Sequence, residues 1–157
     1  MSDKKPKIGV VGAGHLGKHH IKHLSNHSGV ELVGVFDINT ESLKNICSEF
    51  SVKALRSIEE IISSCEAVHI VTPTNTHFDI AKKFLDHKKD VFIEKPITNT
   101  VEEASSLISL AKENGCIIQV GHIERFNPTI NRLKELVDNP HYICLLYTSP
   151  SPRDSCA

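Results

Sequence analysis

Lys7-Ile-Gly-Val-Val-Gly-Ala-Gly-His-Leu-Gly17 decides how this chain is read. Residues 8–11 are a short apolar run that suits a buried strand. Three glycines, Gly12, Gly14 and Gly17, follow at G-x-G-x-x-G spacing, and a helical pattern begins at once. A lone carboxylate, Asp37, closes the next apolar run. The glycine triplet alone is a weak signal. Strand, loop, helix and acid in this order describe a dinucleotide pyrophosphate site. Gly12 permits the tight turn off the strand. Gly14, with no Cβ, lets the main chain approach a pyrophosphate, and Gly17 lets the helix sit close on the sheet. His15 and Leu16 complete the loop, where unpaired N–H groups and the helix dipole favour an anion. Asp37 stands roughly 20 residues further on, where a carboxylate accepts from a ribose hydroxyl.

Beyond the loop, strand and helix signals alternate. Strands are expected at 8–11, 30–36, 67–71, 91–93 and 117–120, with a weaker piece near 52–55. Between them lie apolar helix faces: Leu43, Ile46, Cys47 and Phe50; Ile58, Ile61 and Ile62; Ile80, Ala81, Phe84 and Leu85; Ala104, Leu107, Ile108 and Ala111. Ser57 with Glu60 and Thr100 with Glu103 fit capping boxes, Asn39 and Asn75 are candidate caps, and Gly115 is placed to end a helix. The expectation is an α/β fold, a doubly wound parallel sheet of the Rossmann NAD(P)-binding type. The dinucleotide-binding domain is expected over 1–126. A linker helix opens at Asn127-Pro128 with Ile130, Leu133, Leu136 and Val137 on one face, Asn139-Pro140 stops it, and 127–143 begins a second, substrate domain.

Composition excludes several function classes. The 157 residues carry a net charge of −1 and no long basic block, so neither nucleic acid nor an anionic membrane is an expected partner. No apolar run approaches a membrane span, and the polar start, Met1-Ser-Asp-Lys-Lys-Pro-Lys7, is unlike a signal peptide. Five separated cysteines with no C-x-x-C pair read as reduced thiols of a cytoplasmic protein.

Three further constellations bear on chemistry. Thr72-Pro-Thr-Asn75-Thr-His77 follows the third main strand, at the carboxyl edge where open α/β sheets bind ligands. Thr72, Pro73, Asn75 and His77 are candidates to border a nicotinamide or ribose; an ordinary capping loop is the alternative. Glu94-Lys95-Pro96 follows the next strand. Lys95 is the candidate to hydrogen-bond a substrate hydroxyl and stabilise the negative charge that builds there, with Glu94 holding it as a charged pair. A solvated surface lysine is the alternative. His122, Arg125 and Asn127 are candidates for the rim of a substrate pocket or, equally, for a hinge loop. His15, His19, His23 and His27, spaced by four, stack on one helix face. They read as a solvated face, since zinc asks for convergent ligands and a second shell, and no metal is expected. His20 lies elsewhere on that helix and is placed to pack toward the sheet.

Cys144-Leu-Leu-Tyr-Thr-Ser-Pro-Ser-Pro-Arg-Asp154 breaks this logic. A strand begins and dissolves into Ser/Pro punctuation. The segment resembles a translated sequencing-library adapter, so residues 144–157 are expected to be non-native read-through, with a genuine Pro-rich tail as the alternative. On that reading Cys144 and Cys156 leave any redox argument.

Gly12-Ala-Gly-His-Leu-Gly17 with His20, Val71-Thr-Pro-Thr-Asn-Thr-His77, Glu94-Lys-Pro96 and Gly121-His-Ile-Glu-Arg-Phe-Asn-Pro128 together resemble the glucose–fructose oxidoreductase / inositol dehydrogenase / MocA family. The resemblance implies hydride transfer between NAD and a hydroxyl of a sugar, nucleotide sugar or cyclitol. It implies pyrophosphate on Gly12, Gly14 and Gly17, adenosine ribose on Asp37, and cofactor bordered by Thr72, Pro73, Asn75, His77 and Glu94. Glu94 and Lys95 then hold the motif nearest the chemistry, as the catalytic candidates. The Gly121–Pro128 string is most similar to members acting on nucleotide-activated amino sugars, such as UDP-N-acetylglucosamine 3-dehydrogenases. The family's mixed αβ substrate domain, which supplies an Asp/His pair and the oligomer interface of a homo-oligomer, is not expected in this sequence. Asp37 with Ile38 and Asn39, and no arginine, favours NAD over NADP. A non-catalytic NAD-binding regulatory module is the competing reading.

Overall fold

The computed structural model describes residues 4–138. The expected start of a strand at 141–143 and the adapter-like segment 144–157 lie outside the described residues. Five strands, β1 (Lys7–Val11), β2 (Glu31–Phe36), β3 (Ala67–Ile70), β4 (Asp90–Ile93) and β5 (Ile118–Val120), form one parallel sheet in the order β2-β1-β3-β4-β5. The helices are α1 (His15–Asn26), α2 (Thr40–Phe50), α3 (Ile58–Ser64), α4 (His77–Asp86), α5 (Val101–Asn114) and α6 (Pro128–Leu136). The chain divides into two compact units, one ending at His122 and one beginning at Ile123.

The first unit is doubly wound, as the alternation of signals implies. Val10 and Val35 meet Ile21 of α1 and Leu43 and Ile46 of α2 on one face. Val68, Ile70 and Ile93 meet Ile61 of α3, Phe84 of α4 and Leu107 of α5 on the other. Phe84 is wholly buried, which stabilises the fold by about 2 kcal/mol. From β1 the chain runs through α1 to β2, then returns past β1 to β3. The strand order therefore reverses between β1 and β3, and a crevice opens outside their carboxyl ends.

Local signals explain most element ends. Asn39 accepts from the Glu41 and Ser42 amides to cap α2. Thr100 and Glu103 form a complete capping box on α5, and Gly115 ends that helix in the left-handed region. At α3 only half of the expected box forms. Ser57 accepts from the Glu60 amide, while the Glu60 carboxylate accepts from Arg56 N instead of the Ser57 amide. Asn75 caps nothing: it sits inside a 3₁₀ turn, Thr74–Thr76, and α4 starts beyond it without a side-chain cap. The α5 face is also turned by a residue from the expected one. Leu107 and Ala111 are buried and Leu110 packs beside them, while Ile108 is exposed. The weak piece near 52–55 becomes a single bridge, Ala54 to Val35, on the outer edge of β2.

In the second unit, a 3₁₀ turn (Ile123–Phe126) leads into α6. Asn127 caps α6 by accepting from Thr129 N, and Pro128 occupies its first turn.

Candidate functional site

The glycine loop is built from backbone. Gly12 turns the chain at φ +109°, and a Cβ there would lie 2.2 Å from the Val71 carbonyl oxygen. A Cβ on Gly17 would lie 2.2 Å from the Gly12 carbonyl oxygen. Both glycines are thus required by the fold itself. Gly14 differs. An added Cβ would meet nothing within 4 Å, and Gly14 borders the crevice. It is also the N-cap of α1, which has no capping side chain and no acid in its first turn. Helices α2, α3, α5 and α6 each carry a side-chain cap. Among the described residues no side chain caps the α1 amides, which with the dipole behind them suit an anion.

Asp37 closes this loop. One carboxylate oxygen accepts from Ala13 N at 2.6 Å and the other from Asn39 N at 2.7 Å. Each oxygen keeps a further lone pair for a hydroxyl donor. The crevice has a volume of about 580 Å³. Gly12, Gly14, Asp37, Thr72, Pro73 and Asn75 all line it. Its apolar walls, Ile58 and Ile80, went unassigned in the sequence because both read as helix-face core residues. His15, Leu16 and Gly17 occupy the first turn of α1 beside it.

His77 does a different job from the one its position suggested. It is buried, and its ring nitrogens lie 2.9 Å from the Pro96 carbonyl oxygen and 2.8 Å from that of Thr72. It ties the turn after β3 to the turn after β4. The Lys95–Pro96 peptide is cis.

Glu94 is buried, and its carboxylate has two partners. One oxygen lies 3.0 Å from His20 Nε2, and the other accepts the Lys95 backbone N–H at 3.1 Å. The expected Glu94–Lys95 side-chain pair is absent among the described residues. Lys95 is exposed, because neighbours in extended chain leave on opposite sides. His20 Nδ1 in turn lies 3.0 Å from His69 Nδ1, and the His69 ring stacks on Phe92 at 4.6 Å. Burial lowers the His20 pKa, with Glu94 opposing it, and burial pushes His69 down to about 4. The packing of His20 toward the sheet was legible; its partners were not, since His69 reads as one polar residue in a strand.

His122 is exposed at the end of the first unit. In the second unit Arg125 is exposed, and the Asn127 amide is taken up by Glu124 and the α6 cap. Among the described residues no three His, Cys, Asp or Glu side chains are grouped as metal ligands. No described helix is long and apolar enough to cross a membrane.

Comparison with known proteins agrees with this fold. The Gfo/Idh/MocA family model, an oxidoreductase family with an NAD-binding Rossmann fold, matches residues 6–122. A UDP-N-acetylglucosamine 3-dehydrogenase of Acidithiobacillus ferrooxidans is 38% identical over 129 residues, 82% of this chain and 41% of that relative. The scyllo-inositol 2-dehydrogenase (NAD(+)) of Bacillus subtilis is 35% identical over 136 residues, 84% of this chain and 40% of its own length. The solved structure of the Acidithiobacillus enzyme superposes with TM-score 0.78 at 36% identity, covering 85% of this chain and 42% of that one. GenD2 from gentamicin A biosynthesis, solved in complex with NAD, superposes with TM-score 0.80 at 25% identity, covering 85% and 39%. The chain spans about two fifths of the length of these relatives.

Proposed function

The chain belongs to the Gfo/Idh/MocA oxidoreductase family and contains its NAD-binding Rossmann domain, and from that premise we propose that it is the cofactor-binding part of a dehydrogenase acting on a hydroxyl of a sugar, nucleotide sugar or cyclitol. The observation that carries the reading is Gly14. Among the described residues nothing explains its missing side chain, and it faces a crevice at the uncapped start of α1. A pyrophosphate fits that space. Bound there, the dinucleotide supplies the acceptor or donor of a hydride.

The residues divide the work as follows. Gly14, His15, Leu16 and Gly17 offer backbone amides to the pyrophosphate, and Gly12, whose own amide donates to the Phe36 carbonyl, turns the chain beneath it. Asp37 accepts from the adenosine ribose, and its charge with Ile38 and Asn39 beside it supports NAD over NADP. Thr72, Pro73 and Asn75 border the nicotinamide side, and His77 holds their turn against Pro96. Lys95 follows β4 one strand over from Thr72, where its ammonium would hydrogen-bond the reacting hydroxyl and stabilise charge on that oxygen. Similarity to the Acidithiobacillus enzyme supports a nucleotide amino sugar as substrate. The buried free thiols Cys47 and Cys65, the latter pushed up to about 11 by burial, support a cytoplasmic setting. The Acidithiobacillus and Bacillus relatives are dehydrogenases, and nothing in these likenesses supports the regulatory alternative.

Fluorescence titration of the chain with NADH and NADPH tests the reading. NADH should bind at least tenfold more tightly. A folded chain that binds neither dinucleotide overturns the assignment, and tighter NADPH binding overturns the cofactor preference.

A further inference from the structure

We propose that His20, backed by His69, is a positioning residue for Lys95: the two rings fix the Glu94 carboxylate, and the carboxylate fixes the Lys95 backbone at the carboxyl edge of the sheet. The proposal rests on the reading above, in which Lys95 meets the reacting hydroxyl.

Four parts of the first unit meet in the Glu94 cluster. His20 comes from α1, His69 from β3, Glu94 from the exit of β4, and Gly121 from the exit of β5. A Cβ on Gly121 would lie 2.7 Å from the Glu94 Oε1, so the carboxylate is walled on that side as well. The proton positions follow from chemistry. A carboxylate only accepts, so His20 Nε2 must carry the proton between them. Burial keeps both rings neutral, so His20 Nδ1 is bare and accepts. The His69 Nδ1, 3.0 Å away, must then be the donor. The result is one directed chain, His69 Nδ1–H to His20, His20 Nε2–H to Glu94, with the Lys95 N–H donating to the other carboxylate oxygen. Phe92 stacks on His69 and meets His20 edge-on, which restricts both rings to this arrangement. Deletion of a mere packing residue would loosen the core. Deletion of this chain frees Glu94 and, through it, the residue after it.

Long-range 1H–15N correlation spectra of the histidine-labelled chain at pH 7.5 test the proposal. The expected pattern is His20 protonated on Nε2 and His69 protonated on Nδ1. A His69 protonated on Nε2 overturns it. His20→Phe keeps ring bulk and removes both bonds, so the Lys95 amide proton should lose its downfield shift. His20→Gln, whose amide both donates and accepts, should restore that shift. A Lys95 amide unmoved by His20→Phe overturns the proposal; if that variant fails to fold, the ring pattern of the unsubstituted chain decides alone. NADH titration of the same sample separates the two readings. A chain that binds NADH with the wrong ring pattern sinks the positioning role only. A chain with the right pattern that binds neither dinucleotide sinks the cofactor reading only.

Discussion

The glycine crevice and the Glu94 cluster stand at the same edge of one sheet and are made of opposite material. The crevice is built from backbone: a turn, free amides and an open space beside Gly14. The cluster is built from side chains packed out of water, with partners 49 and 74 residues apart. A backbone site is set by which residues lack a side chain. A side-chain site is set by which residues the topology brings together. The two should fail in different ways, and that difference can be measured.

The largest effect should come from Gly12→Ala. The substitution forces a side chain onto φ +109° and into the Val71 carbonyl oxygen at 2.2 Å. Strain and overpacking of this kind cost about 3 kcal/mol or more. The urea midpoint should fall steeply and dinucleotide binding should vanish with it. An unchanged midpoint would mean that the loop relaxes freely, and the crevice would not be the rigid half of the comparison.

Acid should attack the cluster next. His69 takes its proton at 6.5 in the unfolded chain and at about 4 when folded. Between those values the unfolded state binds more protons, so stability falls as pH falls from 6.5 toward 4 and levels off below. The loss amounts to up to roughly 3 kcal/mol. Lowered basicity of His20 adds in the same direction. Urea unfolding at pH 7.5, 5.5 and 4.5 measures it, and His69→Phe should flatten the slope. An equal slope in that variant would place the acid sensitivity elsewhere.

This difference also explains what the sequence showed. The crevice was legible because its parts follow one another within one strand, one turn and one helix. Gly12, Gly14 and Asp37 keep fixed spacing, and Thr72, Pro73 and Asn75 follow a strand end. The fold was legible for the same reason, since short Val/Ile runs between capped helices alternate in order. The cluster was not. His69 alternates with Val68 and Ile70, and nothing local says that an imidazole from α1 will meet it. His77 misled for a related reason. It stands beside cavity residues in sequence, yet it opens α4 and turns inward to two carbonyls. Asn75 was read as a cap because Asn often is one. The Pro73 carbonyl instead draws the Thr76 amide into a 3₁₀ turn.

Asp37→Asn tests the side chain that closes the glycine loop. Asp37 accepts two backbone N–H groups, and asparagine has a single acceptor oxygen for them. One amide would then face a donor, at a cost of about 1–2 kcal/mol. NADH affinity should drop about tenfold with it, since a hydrogen bond from the ribose to a charged acceptor is worth about that much. A loss of affinity with no loss of stability would show that the carboxylate serves the ligand alone.

The smallest effect on the fold should come from Gly14→Ala, and it draws the sharpest line between the two regions. The residue sits at φ −75° and ψ −165°, which alanine adopts without strain. Its new methyl meets no protein atom within 4 Å. Alanine is a poorer N-cap than glycine, but it also restricts the unfolded chain, and the two effects nearly cancel. The unfolding free energy in urea should therefore hold to within about 0.5 kcal/mol. NADH binding should nonetheless weaken at least tenfold, because the methyl enters the space through which the backbone amides reach a pyrophosphate. No single methyl added to the Glu94 cluster would do this, since Gly121→Ala there collides with the carboxylate itself. If Gly14→Ala keeps both its stability and its affinity, the space beside Gly14 holds no pyrophosphate, and the cofactor reading loses the observation on which it stands.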